Sequence, residues 1–398
     1  MTSVEVDLME LTSEQRNILD GGQGAELADC MKTLVRMGEA FGAPRLVPIK
    51  SAHLTGSFKI TSFKGYYELL QRIVDAGLKV SVPTTLNPHP GYEYAPQNRL
   101  LFRGQKKHES LLETLGVTPN YSCVCYEYHN KPDFGDILAW AESSAVIYAN
   151  SVIGARTNRH ALFADICQAI LGLTPEFGYL LDENRRGRVR VKLDVENMDA
   201  PALGFLLGRK CMDRTPLIDH YPFDVAELKN MGGAMAASGG VTMFHVLGLT
   251  PEAPDEETVL GGKEAEESIT ITQRDLDELR ADHGVQKSTA MVAIGCPQMT
   301  LKEVTEVAGY FVGKRVKKKT MLHVMPAALR EFEKTDLFDE VLKSGAEIYE
   351  HCPLSGLSLR IGIGQQRVLT PSGKLHYYLE GTEYGDLNDV LQVCGVVD

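Results

Sequence analysis

Three observations predict an α/β fold. Short apolar runs alternate with stretches of helical period, as strands joined by crossover helices do. Polar clusters follow the apolar runs, where the strands of an open sheet carry their ligands. The chain has 398 residues, 43% hydrophobic and 24% charged, enough core for two or three domains.

The elements follow in order. Thr12-Ser13-Glu14-Gln15 is an N-cap signal, and Gly21-Gly22 ends that first helix. From Gly24 the apolar positions Leu27, Cys30, Met31, Leu34, Val35 and Ala40 recur at helical spacing up to Gly42. Arg45–Ile49 predicts a buried strand that ends in Lys50-Ser51-Ala52-His53. A helix over Tyr66–Ala76 stops at Gly77. A strand over Leu78–Val82 then runs into Pro83-Thr84-Thr85-Leu86-Asn87-Pro88. Tyr121–Cys125 has the pattern of a strand end. Ala141–Val152 and Phe163–Leu171 have the pattern of helices, and Val241–Val246 is β-rich. Pro251–Glu267 is acidic and rich in Pro and Gly, so it is expected as an exposed loop or domain joint. Met291–Ile294 predicts a strand, Thr300–Ala308 a helix and Thr320–Val324 another strand. The basic run Lys314–Lys319 is expected as a solvated edge.

Charge and hydropathy narrow the function. The formal net charge is −12, a poor field for nucleic acid but no obstacle to a small anionic substrate. No apolar run approaches a membrane span. Met1–Glu10 carries Glu5, Asp7 and Glu10 without a basic stretch, unlike a secretory signal. A cytoplasmic location is therefore expected, with the eight cysteines reduced. Each cysteine is then either a small core residue or a metal or cluster ligand.

Five polar clusters fall at predicted strand ends, and three carry a cysteine. These are Ser122-Cys123, Gly295-Cys296-Pro297 and His351-Cys352-Pro353. Three thiolates can hold an iron–sulfur cluster and leave one iron open. The spacing itself does not single these out, and Cys125 stands two residues from Cys123 as a rival. Cys30, Cys167, Cys211 and Cys394 lie in apolar or helical contexts and read as structural. Glu142, Ser143 and Ser144 precede a helix whose first N–H groups can receive an anion. Arg156 and Arg159 can clamp a carboxylate or phosphate, or else are surface residues.

Trp140–Ala145, Ala149-Asn150-Ser151 and Gly154-Ala155-Arg156-Thr157-Asn158-Arg159 strongly resemble the large, catalytic subunit of the aconitase X family. So do Ile49–His53, Pro83–Asn87, Asp182–Arg185, Ala237-Ser238-Gly239, Phe244-His245-Val246, Gly248–Glu252, Gly295-Cys296-Pro297 and Ser372-Gly373-Lys374. The resemblance covers nearly the whole chain. It implies an aconitase-like assembly of three-layer α/β/α sheets around a central cleft, with a joint expected near residues 251–267. It also implies a hydro-lyase that dehydrates a β-hydroxy carboxylate. The known activities are cis-3-hydroxy-L-proline dehydratase and mevalonate 5-phosphate dehydratase.

Carried over by motif, the cluster ligands are Cys123, Cys296 and Cys352, with two, three or four irons. The resemblance further implies a separate small swivelling subunit whose serine is the catalytic base, because this chain has no such domain. Expected substrate-binding residues are Ser51, Thr84, Thr85, Asn87, Glu142, Arg156, Thr157, Asn158 and Arg159. Expected catalytic residues are His53, Ser143 and Ser144, with His53 the acid or base within the chain.

The sequence departs from the family at Cys123-Val124-Cys125-Tyr126, where Cys-Thr-Pro-Tyr is usual, and over Pro88–Lys107. Phe163–Cys167 resembles the bacterial hydroxyproline enzymes, and Glu142-Ser143-Ser144 with Asp182–Arg185 is nearer the archaeal type. The balance favours hydroxyproline. The phosphate substrate would call for a basic pocket from Lys59, Lys64, Arg99 and Arg103. Two further alternatives are a non-catalytic scaffold, and a zinc or mononuclear-iron lyase built on Cys123, Cys125 and His129.

Overall fold

The helices begin and end where short-range chemistry dictates. The side chain of Thr12 caps Ser13–Leu19 and forms a capping box with Gln15. Gly42, in the left-handed conformation, ends Ala25–Phe41. Thr300 caps Leu301–Gly309 in the same way as Thr12, with Glu303 closing the box. The computed structural model describes residues 9–56, 64–91, 96–160, 162–283, 289–357 and 367–397.

Three parallel sheets organise the described chain, with an antiparallel pair, Leu46–Pro48 and Leu173–Pro175, beside them. The first has Ser51–Leu54 at its centre, between Thr84–Leu86 and Leu138–Trp140. The second runs His245–Val246, Pro216–Ile218, Val189–Asp194, Glu267–Thr272. The third runs Glu347–Tyr349, Lys319–Val324, Thr289–Met299, Arg367–Thr370, Thr382–Tyr384. Separate hydrophobic clusters centred on Leu34 and Leu70, on Leu203 and Met235, and on Val292 and Phe311 pack these layers. The α/β expectation therefore holds.

Several local expectations shift. Ser51–Leu54 is a central strand rather than a strand end, although its sequence is half polar. Leu78–Val82 is not a strand; the strand is Thr84–Leu86, just beyond Pro83. Residues 78–82 instead give Val80 N–H to Leu115 O and Ser81 N–H to Ala169 O, outside any ladder. Tyr121–Cys125 is loop, with Tyr121 at φ 44°, leading into a single 3-10 turn at Cys125–Glu127. Only His245–Val246 of the β-rich Val241–Val246 pairs. Residues 251–267 are largely exposed, but they connect two strands of one sheet and so do not join domains.

Candidate active site

The ends of the first and third sheets face a common cavity of about 460 Å³. Cys123, Cys296 and Cys352 all line it, although 173 residues separate the first two in sequence. Cys123 comes from the loop after the helix Gln105–Thr114, and that loop runs beside the strand Thr84–Leu86. Ser122 N–H donates to Leu86 O, which continues that strand's edge into the cysteine. Cys296 lies within Thr289–Met299, directly after Gly295 at φ 101°. A Cβ on Gly295 would collide with the His323 carbonyl, so only glycine brings this cysteine so close to the neighbouring strand. Cys352 precedes the short helix Pro353–Leu357, and its N–H donates to His89 O.

Burial pushes the Cys123 thiol up to about 12, and pushes Cys296 up as well. Buried thiols in apolar walls resist ionisation unless positive charge compensates them. Lys374 supplies some, favouring the thiolate at both Cys123 and Cys296. Three clustered thiols with one adjacent cation and a donated N–H fit an anionic, thiolate-bound iron–sulfur group. That N–H is Gln298 N–H, 3.4 Å from Cys123 Sγ. Among the described residues no three His, Cys, Asp or Glu side chains gather about one ion-sized point. His129 is exposed while Cys123 and Cys125 are buried, so the mononuclear trio does not assemble.

Glu142, Ser143 and Arg159 also line the cavity, with Asn87 and Thr55. Glu142 is the N-cap of Ser143–Tyr148: its Oε2 accepts from Ala145 N–H at 2.7 Å and from Ser144 Oγ at 2.7 Å. Its Oε1 pairs with Lys374 Nζ, which also donates to Ser144 Oγ at 2.8 Å. Burial alone would push Glu142 up. Lys374 and the serine and backbone donors outweigh it and hold Glu142 below the usual carboxylate range. Burial would likewise push Lys374 down, but Glu142 and the two thiols hold it well above an ordinary lysine. The pair is thus fully ionised, inside the protein, against the cysteines. Ser144 belongs to this network and Ser143 faces the cavity.

Other expected residues serve the frame. His53 is fully buried, with Nδ1 2.8 Å from Thr85 Oγ1 and Nε2 3.0 Å from Asn87 Oδ1. Burial pulls it down to about 4, so it is neutral. Both nitrogens are engaged and neither faces the cavity, so His53 orients Asn87 rather than working as the chain's acid or base. Ser51 Oγ accepts from Trp140 Nε1 at 3.2 Å, and Thr84 Oγ1 donates to Val82 O. Thr85 accepts from Asn130.

Arg156 does not reach the cavity: it donates to Leu180 O and pairs with Asp182. Thr157 Oγ1 accepts from Trp140 N–H, and Asn158 bridges Phe177 O and Tyr179 N–H. These three pin the loop that delivers Arg159, which lines the cavity with no ion partner among the described residues. Of the proposed phosphate cations, Lys64 pairs with Glu68 on the surface, Arg99 and Arg103 are exposed and outside the lining, and Lys59 lies outside the described residues. The region Pro88–Lys107 does contribute, through Pro88, Leu101 and Phe102.

Sequence reasoning missed Lys374 and Gln298. Lys374 stood in a recognised string but carried no role. Its partner Glu142 is 232 residues away, and no local signal joins them. Gln298, two residues after Cys296, was legible only as a neighbour.

Comparison with known proteins agrees with this geometry. Models of the first, second and third domains of aconitase X match residues 8–183, 187–281 and 289–394. These boundaries follow the sheets rather than residues 251–267. The phosphomevalonate dehydratase large subunit of Methanosarcina mazei is 34% identical over 383 residues, covering 94% of this chain and 92% of its own. The cis-3-hydroxy-L-proline dehydratase of Pseudomonas aeruginosa is 34% identical over 314 residues, 74% of this chain and 52% of its own. A crystal structure of Thermococcus kodakaraensis aconitase X in its holo form superposes with a TM-score of 0.88 at 32% identity, over 97% of this chain and all of that one. With three domain models in order and three cysteines around one cavity, the chain belongs to the aconitase X family.

Proposed function

We propose that the chain is the large subunit of a hydro-lyase that dehydrates a β-hydroxy carboxylate, with an iron–sulfur cluster on Cys123, Cys296 and Cys352. The relatives' names, dehydratases of two kinds, support the reaction class. The observation that carries the reading is the convergence of these three thiols with Arg159 and the Glu142–Lys374 pair in one cavity. When bound, an open iron supplies Lewis acidity to a leaving hydroxyl.

The chain's own residues do the rest. Arg159 holds the substrate carboxylate, and its guanidinium can do so bidentately. Asn87, fixed by His53, and Ser143 offer further polar contacts in the same cavity. Lys374, itself held by Glu142, keeps a fixed positive charge beside the thiolates. The apolar wall of Pro88, Leu101, Phe102 and Leu354 keeps water out. Loss of water removes the α-proton and the β-hydroxide. The proton goes to a base from a small partner subunit, which the large-subunit names of the relatives support. A cytoplasmic location follows from the same reading; no described helix is long and apolar enough to cross a membrane.

The substrate we propose is cis-3-hydroxy-L-proline, giving Δ1-pyrroline-2-carboxylate. Among the described lining residues the cations are Arg159 and Lys374, and Lys374 is committed to Glu142. One free cation matches one carboxylate. Mevalonate 5-phosphate is the second reading, favoured by the near full-length match to phosphomevalonate dehydratase large subunits. Both substrates should be assayed with the small subunit added, on wild type and on Arg159→Ala. The proposal expects turnover of hydroxyproline, with KM raised at least tenfold in the variant. Turnover of the phosphate alone would select the second reading, and turnover of neither would remove the dehydratase assignment.

A further inference from the structure

We infer that Gln298 is the positioning residue that sets the three thiols in register for the cluster, an inference that rests on the cluster reading above. Gln298 is 1% exposed and lines the cavity between the cysteines. Its side chain reaches both other cysteine-bearing segments. Oε1 accepts from Cys123 N–H at 3.2 Å, and Nε2 donates to Glu350 O at 2.8 Å, two residues before Cys352. Its main chain adds the N–H at 3.4 Å from Cys123 Sγ. Its carbonyl accepts from Lys229 Nζ at 2.9 Å, and Lys229 is itself paired with Glu303. One buried amide on the Cys296 strand therefore joins the Cys123 loop to the Cys352 loop, with a buried lysine fixing its own backbone.

The chemistry of the contacts separates two jobs. The amide side chain holds loop spacing, because each of its two ends satisfies a backbone group of a different cysteine loop. The main-chain N–H withdraws charge from Cys123 sulfur, and both side-chain variants tested below keep it. The side-chain Oε1 also lies 3.8 Å from Cys123 Sγ. A negative charge placed there opposes the electron added on reduction of a thiolate-bound group. Side-chain variants thus test position through cluster retention and electrostatics through potential.

The experiment uses the full chain, purified anaerobically and reconstituted with iron and sulfide, as wild type, Gln298→Leu and Gln298→Glu. The readouts are the apo-protein melting temperature, iron and sulfide per chain, the rate of cluster loss to a chelator, and the midpoint potential. We expect the apo proteins to melt cooperatively. Gln298→Leu should lose its cluster at least tenfold faster than wild type. Gln298→Glu keeps an acceptor for Cys123 N–H, so it should lose the cluster more slowly than Gln298→Leu, with a potential shifted negative of wild type. A merely structural glutamine would lower the melting temperature while both variants lose the cluster no faster than wild type. A wild type that holds matched iron and sulfide, beside variants that hold it equally tightly at the same potential, would overturn this inference alone. A wild type that takes up neither after reconstitution would overturn the cluster reading, and this inference with it. Should Gln298→Leu not fold, Gln298→Glu, which loses the donor to Glu350 O, decides on loss rate against wild type.

Discussion

Lys374 is where the chemistry of the site and its stability meet. It is 7% exposed and bound to Glu142, which is 6% exposed. Removing one partner of a buried pair leaves an uncompensated charge, at a cost of about 3–5 kcal/mol. Lys374→Met should therefore destabilise the chain by about 3 kcal/mol in urea unfolding, and adding Glu142→Gln should restore most of that. A single variant as stable as wild type would mean that the pair is solvated.

Asp165 makes a second residue-scale case. It is fully buried beside the cavity residue Thr55, whose N–H donates to Oδ2 at 3.3 Å, while Oδ1 has no partner among the described residues. Burial raises its carboxyl to about 8, so the native state keeps a proton that the unfolded chain loses near pH 4. The stability this gives is complete below the unfolded value and is lost as pH rises through about 8. Asp165→Asn has nothing to lose. Wild type should therefore weaken relative to that variant between about pH 5 and pH 9, in urea melts at both ends of the range. Parallel profiles would refute a protonated Asp165.

At the scale of elements, what the sequence makes legible and what it hides divide on physical grounds. Capped, strongly periodic helices such as Ser13–Leu19, Ala25–Phe41 and Leu301–Gly309 fall where their local signals put them, because caps act within one turn. Ser51–Leu54 hides because its Ser and His are buried with satisfied partners, and hydropathy does not register satisfaction. The apolar Leu78–Val82 misleads for the opposite reason: its backbone groups bond to carbonyls of loop and helix, so it needs no ladder.

The crossing of Ala200–Cys211 and Val225–Gly239 was likewise beyond local pattern, since it depends on glycines facing one another. A Cβ on Gly239 would sit within the Gly208 carbonyl, and one on Gly204 within the Met231 carbonyl. Gly239→Ala should force these helices apart and cost about 1–3 kcal/mol in urea unfolding, the range of overpacked cores. An unchanged midpoint would mean that the helices can slide.

At the scale of the whole molecule, the site is an assembly of distant parts. Cys123 and Cys352 come from loops and Cys296 from a strand of the third sheet, Arg159 comes from a loop pinned by Arg156, Thr157 and Asn158, and the buried lysine comes from the helix Gly373–Tyr378. The three cysteines that line the cavity were singled out by family resemblance, whereas composition and spacing left them undecided. The division between side chains that face the cavity and side chains that hold the frame was not readable, because both kinds sit in the same motifs. His53 and Asn87 are the example: two residues expected at the site, one lining it and the other fixing the first.

Everything proposed for the site turns on Cys123, Cys296 and Cys352 together holding an iron–sulfur cluster. The most direct measurement is iron and acid-labile sulfide in anaerobically purified and reconstituted protein, beside Cys123→Ser, Cys296→Ser and Cys352→Ser. Matched iron and sulfide are expected in wild type, falling in all three variants while each keeps a cooperative melt. Iron without sulfide, or content unchanged in any one of the variants, would contradict it.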